Sequence, residues 1–175
     1  MDHDFFNLLN ITPSVLLEES ALTENYKKLA AEHHPDSGGN ETTFNLLNKA
    51  YQTLRSPSQR IKHLMDLAGT PYDKRGSVSN HLMDLFMSTG SLLQKTDTFI
   101  KKKSITTSIL AKALLENESL ELQETISSQI DAIESAQQST LSNTTSTELY
   151  ETAFRDLAFL EKWQAQLKER YAQLF

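Results

Sequence analysis

His34-Pro35-Asp36 sets an imidazole and a carboxylate on either side of a proline. Proline fixes one backbone angle, so the two polar groups keep a narrow range of relative positions. Two kinds of chemistry suit such a triplet. A partner protein can read it as a rigid polar turn, or His34 can act as a general base oriented by Asp36 in a small helical hydrolase. The hydrolase reading needs a nucleophile, a Gly-rich phosphate loop or a metal cluster, and the sequence offers no credible one. Residues two apart around a proline also make a poor hydrogen-bonded dyad. His33 and His34 are adjacent, and adjacent residues on a helix do not face one site. His3, His63 and His81 show no ligand spacing, and the absence of cysteine excludes thiolate metal sites, iron–sulfur ligation and a Cys nucleophile. No metal and no cofactor is therefore expected.

The elements that must position this triplet follow from apolar spacing. From about Glu19 to His33, Leu22, Tyr26, Leu29 and Ala30 fall on one helical face, which leaves Lys27 and Lys28 on the polar side. Pro35 disfavours helical geometry at His34, and Ser37-Gly38-Gly39 prolongs the break. A second helix is predicted from about Asn40 to Arg55, with the seam Phe44, Leu47, Tyr51 and Leu54. Two amphipathic helices joined by a tight turn pack antiparallel, so residues 34–39 belong at an exposed tip. A short aromatic helix over Asp4–Asn10 precedes the pair, and another from about Gln59 to Leu67 follows it.

All five glycines and all four prolines lie in the first 90 residues, so residues 91–175 should be almost wholly helical. Helices are predicted from about Val78 to Lys95, extending toward Lys103, from about Ile105 to Gln138, and from about Thr147 to the end. The polar run Ser139–Thr147 reads as the loop between the last two. Tyr150, Ala153, Leu157, Leu160, Gln164, Leu167, Tyr171 and Leu174 alternate by three and four, which is the seam of a bundle. Phe159 then falls outside that seam, as a candidate interface aromatic. Leu82, Met83 and Phe86 sit at adjacent and i+3/i+4 positions, either in the bundle core or in the same patch. Lys101-Lys102-Lys103 reads as a solvent-facing basic run.

The net charge of −6 over 175 residues argues against a nucleic-acid binder, which needs a dominant basic surface. The acidic start lacks a basic leader, and the apolar runs are too short to span a bilayer. A cytoplasmic protein is expected, with a mitochondrial matrix protein trimmed of its presequence as the other address, and with neither nucleic acid nor membrane among its partners.

The triplet does not stand alone. Tyr26-Lys27-Lys28-Leu29-Ala30 precedes it, and Asn48-Lys49-Ala50-Tyr51-Gln52-Thr53-Leu54 follows at the spacing of a helical hairpin. Together they resemble the J-domain, the module that activates ATPase chaperones of the DnaK type. The run NKAYQTLRSPSQRIKHLMDLAG, Asn48 to Gly69, is similar to the HscB family, J-type co-chaperones of iron–sulfur cluster assembly. Leu82-Met83 and Asp156–Lys162 resemble parts of that family's carboxy-terminal three-helix bundle. Where the family usually carries Lys after the triplet, Ser37-Gly38-Gly39 follows here. The acidic residues it places after Leu-Met are replaced by the acid-poor Asp84–Gly90.

The resemblance implies an all-α fold: a J-domain over 1–70, a linker over 71–77 and a client-binding bundle over 78–175. It implies no catalysis by the chain itself. His34, Pro35, Asp36, Lys27 and Lys28 would contact a DnaK/HscA-type ATPase chaperone. Leu82, Met83, Phe86 and Phe159 would contact a client, the iron–sulfur scaffold protein of IscU type. A J-protein serving another client, such as a secretion or membrane-complex factor, is the alternative.

Overall fold

Side-chain caps decide where the amino-terminal helices begin. Asp4 accepts hydrogen bonds from the Phe6 and Asn7 amides and starts α1, Phe5–Leu8. Asn40 accepts from the Thr43 amide and starts α3, Glu41–Arg55. Ser56 caps α4, Pro57–Ala68, through the Gln59 amide, with Pro57 in the first turn where no amide hydrogen is needed. That cap carries the helix start two residues ahead of the predicted Gln59. Gly69 ends α4 in the left-handed region at φ 64°. Between α1 and α3 runs α2, Glu19–Glu32. The structure, a computed structural model, describes residues 3–73 and 76–175. Lys74 and Arg75 of the expected linker, and Met1 and Asp2 of the acidic start, lie outside the described residues.

The chain divides into two compact units. The first gathers Met1–Gly76 together with Thr140–Ala158. In it α3 packs against α1, α2 and α4. One core cluster is built from Phe5, Phe6, Leu9, Leu22, Leu47, Ala50 and Leu54. His63 is buried beneath it, stacked on Phe5 and accepting the Phe5 amide through Nε2 at 3.0 Å. Arg60, also buried, donates to the carbonyls of Val15 at 3.0 Å and Leu54 at 2.7 Å, tying the loop before α2 to the α3–α4 corner. A second cluster joins Val15, Ile61 and Met65 to Leu141, Ala153, Phe154 and Leu157. The apolar face of α4 is thus covered by residues about eighty positions later in sequence.

The second unit gathers Ser77–Ser139 with Phe159–Phe175. Three long helices, α5 (Met83–Ile105), α6 (Ile109–Asn143) and α7 (Tyr150–Ala172), supply most of its core: Leu92 and Phe99, then Leu115, Leu122, Ile126 and Ile133, then Leu160, Trp163 and Leu167, with Leu174 just beyond α7. Gln129 donates to Ser88 and Thr89, both at 2.8 Å, and fixes the register of α6 on α5. No strand occurs among the described residues, and the all-α fold with a helical carboxy-terminal part holds.

Two details differ from expectation. The polar run after residue 138 stays helical to Asn143, because Leu141 is buried and Thr144 satisfies the Thr140 carbonyl at 2.6 Å. In α7 the seam passes through Trp163 rather than Gln164. Trp163 keeps the three-and-four spacing between Leu160 and Leu167 and buries a far larger apolar surface. Gln164 turns outward to Glu134 at 2.6 Å.

Candidate functional site

The first candidate site is the α2–α3 tip. Tyr26 and Tyr51 stack at 4.2 Å, and the Tyr26 hydroxyl donates to Asn48 at 2.6 Å, which locks the two helices together below the turn. Both tyrosines and Asn48 come from the sequence runs that frame the triplet. Above them, His34 ends the helical geometry with an extended backbone, and Pro35–Ser37 form one 3₁₀ turn. The Ser37 and Gly39 amides both donate to the His34 carbonyl at 3.0 Å, and Gly38 donates to the Pro35 carbonyl. Gly38 takes φ 78°, and a Cβ at Gly39 would lie 2.2 Å from the His33 carbonyl carbon. Each glycine is therefore required, one by conformation and one by space. The sequence Ser37-Gly38-Gly39 closes the turn without any longer side chain.

The His34 ring stands edge-on to Phe44 at 5.0 Å, and its Nδ1 accepts the Asp36 amide at 3.2 Å. The neutral ring then carries its proton on Nε2. Asp36 Oδ2 is 3.6 Å from Nδ1, beyond the reach of a hydrogen bond, and its side chain is 90% exposed. A general base held by an orienting carboxylate needs the reverse: a short bond from ring N–H to carboxylate. This geometry displays His34 and Asp36 separately instead of coupling them. Pro35, Asp36, Lys27 and Lys28 are exposed and His34 is half-buried. The tip is a held polar surface with two cations on the adjoining helix. No group of three or more His, Asp or Glu could hold a metal among the described residues.

The second candidate site lies within the other unit. Trp163, 5% exposed, meets Phe86 at 5.4 Å on one side and Phe159 at 6.0 Å on the other. Phe159 lies one turn before Trp163 on α7 and is half-buried against the core. Phe86 is 43% exposed, Met83 41% and Met87 64%. Leu82 falls in a 3₁₀ turn ahead of α5 and is 4% exposed, so it supports this surface from the core and presents nothing to a partner. Three of the four expected client residues therefore reach the surface. Trp163 and Met87 join them unpredicted. Trp163 could have been found as the large apolar residue four positions after Phe159, whereas the exposure of Met87 left no signal.

Residues 4–63 match the family model of the DnaJ domain. Curated relatives include HscB co-chaperone homologues. That of Shewanella denitrificans is 35% identical over 75 residues, covering 38% of this chain and 43% of the relative. That of Shewanella baltica is 27% identical over 103 residues, covering 54% and 55%. The chain thus spans about half the length of the curated relatives it matches. The chaperone HscB from Vibrio cholerae shares the fold, with a TM-score of 0.61 over 99% of this chain and all of that one, at 19% identity. The resemblance to HscB-type J-domain co-chaperones is borne out.

Proposed function

We propose that this protein is a co-chaperone that stimulates a DnaK/HscA-type ATPase and hands it an iron–sulfur scaffold protein as client. The observation that carries this reading is the His34-Pro35-Asp36 turn, pinned by three backbone hydrogen bonds and exposed at the tip of a DnaJ domain. The chain itself carries out no catalysis. His34, Pro35 and Asp36 meet the ATPase, and Lys27 and Lys28 complement an acidic face of it. Such a contact lowers the barrier to hydrolysis in the partner, so its worth is read in the partner's rate. The client surface is Met83, Phe86 and Phe159, with Leu82 and Trp163 beneath them. The resemblance to HscB supports the scaffold as client, and the bacterial relatives support the cytoplasm as the location.

Single-turnover ATP hydrolysis by the partner tests the first half. His34→Gln should abolish stimulation without changing the helical content, and a fully active His34→Gln chain overturns the reading. Titration of the scaffold protein against an unrelated extended peptide tests the second half. Preference for the peptide would assign the chain to another client.

A further inference from the structure

We propose that the corner between α5 and α6 docks on an anionic lipid surface. Of the five most exposed large apolar side chains among the described residues, four lie between residues 105 and 114: Ile105, Ile109, Leu110 and Leu114, exposed by 69 to 87%. A soluble surface rarely gathers such side chains without a use for them. Side chains this exposed stand clear of the surface. A protein partner would need a hollow to receive them, while a fluid interface conforms to them.

Charge selects the kind of interface. Between Asp97 and Glu116 the only charged residues are Lys101, Lys102, Lys103 and Lys112. Lys102 pairs with Glu118 at 2.8 Å, and Lys103 donates to the backbone carbonyls of Leu174 and Phe175. Lys101 and Lys112 have no ion-pair partner among the described residues and flank the apolar group on both helices. Apolar tips flanked by two free lysines suit acyl chains below anionic headgroups.

Side chains supply part of the helix-end hydrogen bonding at the corner. Thr106 Oγ1 donates to the Lys102 carbonyl at 2.7 Å and Ser104 Oγ to the Lys101 carbonyl at 2.8 Å. At the start of α6, Ser108 Oγ accepts the Ala111 amide. Helix-end groups that lose water on entering an interface must find such partners. No helix among the described residues is long and apolar enough to cross a membrane, so the contact is peripheral. The sequence alone pointed away from membranes because its apolar runs are short, but a surface contact depends on exposure rather than run length.

Flotation of the full chain with vesicles tests this. Mixed phosphatidylglycerol–phosphatidylcholine vesicles should bind roughly tenfold more tightly than phosphatidylcholine alone, and added salt should weaken the binding. The double variant Ile109→Ser/Leu110→Ser should lose roughly tenfold. Lys101→Gln/Lys112→Gln should lose severalfold and flatten the salt dependence. All four side chains are exposed, so circular dichroism and ATPase stimulation should stay as in the parent. Equal binding to neutral and anionic vesicles overturns the proposal, as does anionic binding unaffected by both double variants. Sedimentation velocity showing a dimer that Ile109→Ser/Leu110→Ser dissolves would assign the corner to a second copy of the chain instead.

Discussion

The hairpin tip and the aromatic patch are both recognition surfaces, but they are built on opposite physical terms. At the tip, position is fixed by local covalent and hydrogen-bonding geometry: a proline, two glycines and amides folded back on two carbonyls. Little apolar surface is buried there. At the patch, position is fixed by depth. Trp163 belongs to the core, Phe159 is half in it, Phe86 lies against Trp163, and Met83 is exposed. Function and stability should therefore separate at the tip and stay coupled at the patch, in proportion to burial.

The largest effect should come from the bottom of the patch. Trp163→Ala should cost about 3–5 kcal/mol of stability in urea unfolding, and scaffold binding would be lost with the fold. A cost under about 1 kcal/mol would mean the ring is not core, and the contrast between the two regions would collapse. Next comes the tip's steric requirement. Gly39→Ala forces a Cβ into the His33 backbone and should cost about 1–3 kcal/mol, along with the partner's ATPase stimulation. It is the one tip change expected to move both readouts. Phe159→Ala, from half depth, should fall between at about 1–2 kcal/mol, with scaffold affinity down roughly tenfold. Phe86→Ala and His34→Gln should each change stability by no more than about 0.5 kcal/mol, the first lowering scaffold binding and the second ATPase stimulation. An exchange of those functional readouts between the two variants would sink the assignment of roles.

The smallest effect is a pH test on the first unit. Burial lowers the affinity of Lys62 for its proton, but the Asp66 and Tyr72 partners outweigh it and raise the pKa above the usual 10.5. The ion pair at 3.2 Å thus contributes stability fully at neutral pH and loses it as pH rises through that raised value. The melting-temperature gap between the parent and Asp66→Asn should shrink in strongly alkaline buffer. A constant gap would show that the pair contributes nothing through charge.

Independent folding of 1–70, with 71–77 as linker and 78–175 as a separate domain, remains a proposal, and the second core cluster gives it a sharp test. Val15, Ile61 and Met65 pack with Leu141, Ala153, Phe154 and Leu157, which a fragment ending at residue 70 lacks. That fragment should keep its α2–α3 hairpin and its basal ATPase stimulation but melt well below the full chain. An unfolded fragment by circular dichroism would mean that the later helices are part of the J-domain's core.

The tip was legible in the sequence because each of its rules is local. Pro35 breaks α2, Gly38 supplies the left-handed residue, and Tyr26 and Tyr51 sit at seam positions whose pairing follows from the short turn. Helix limits were equally legible wherever a cap or breaker stands. They failed where packing overrode polarity, as when Leu141 kept α6 helical through Ser139–Asn143. Neighbours in sequence also parted company: Leu82 went into the core and Met83 onto the surface, Trp163 inward and Gln164 outward. Composition and spacing determined by themselves that the chain is helical, where it turns, and that a rigid His-Pro-Asp surface crowns a hairpin. Only the tertiary structure decided which apolar faces are covered, that residues 140–158 complete the first unit, and that an apolar corner at 105–114 stays bare. Periodicity fixes a side chain's direction from its own helix axis, and which neighbouring helix covers that direction is settled by contacts far apart in sequence.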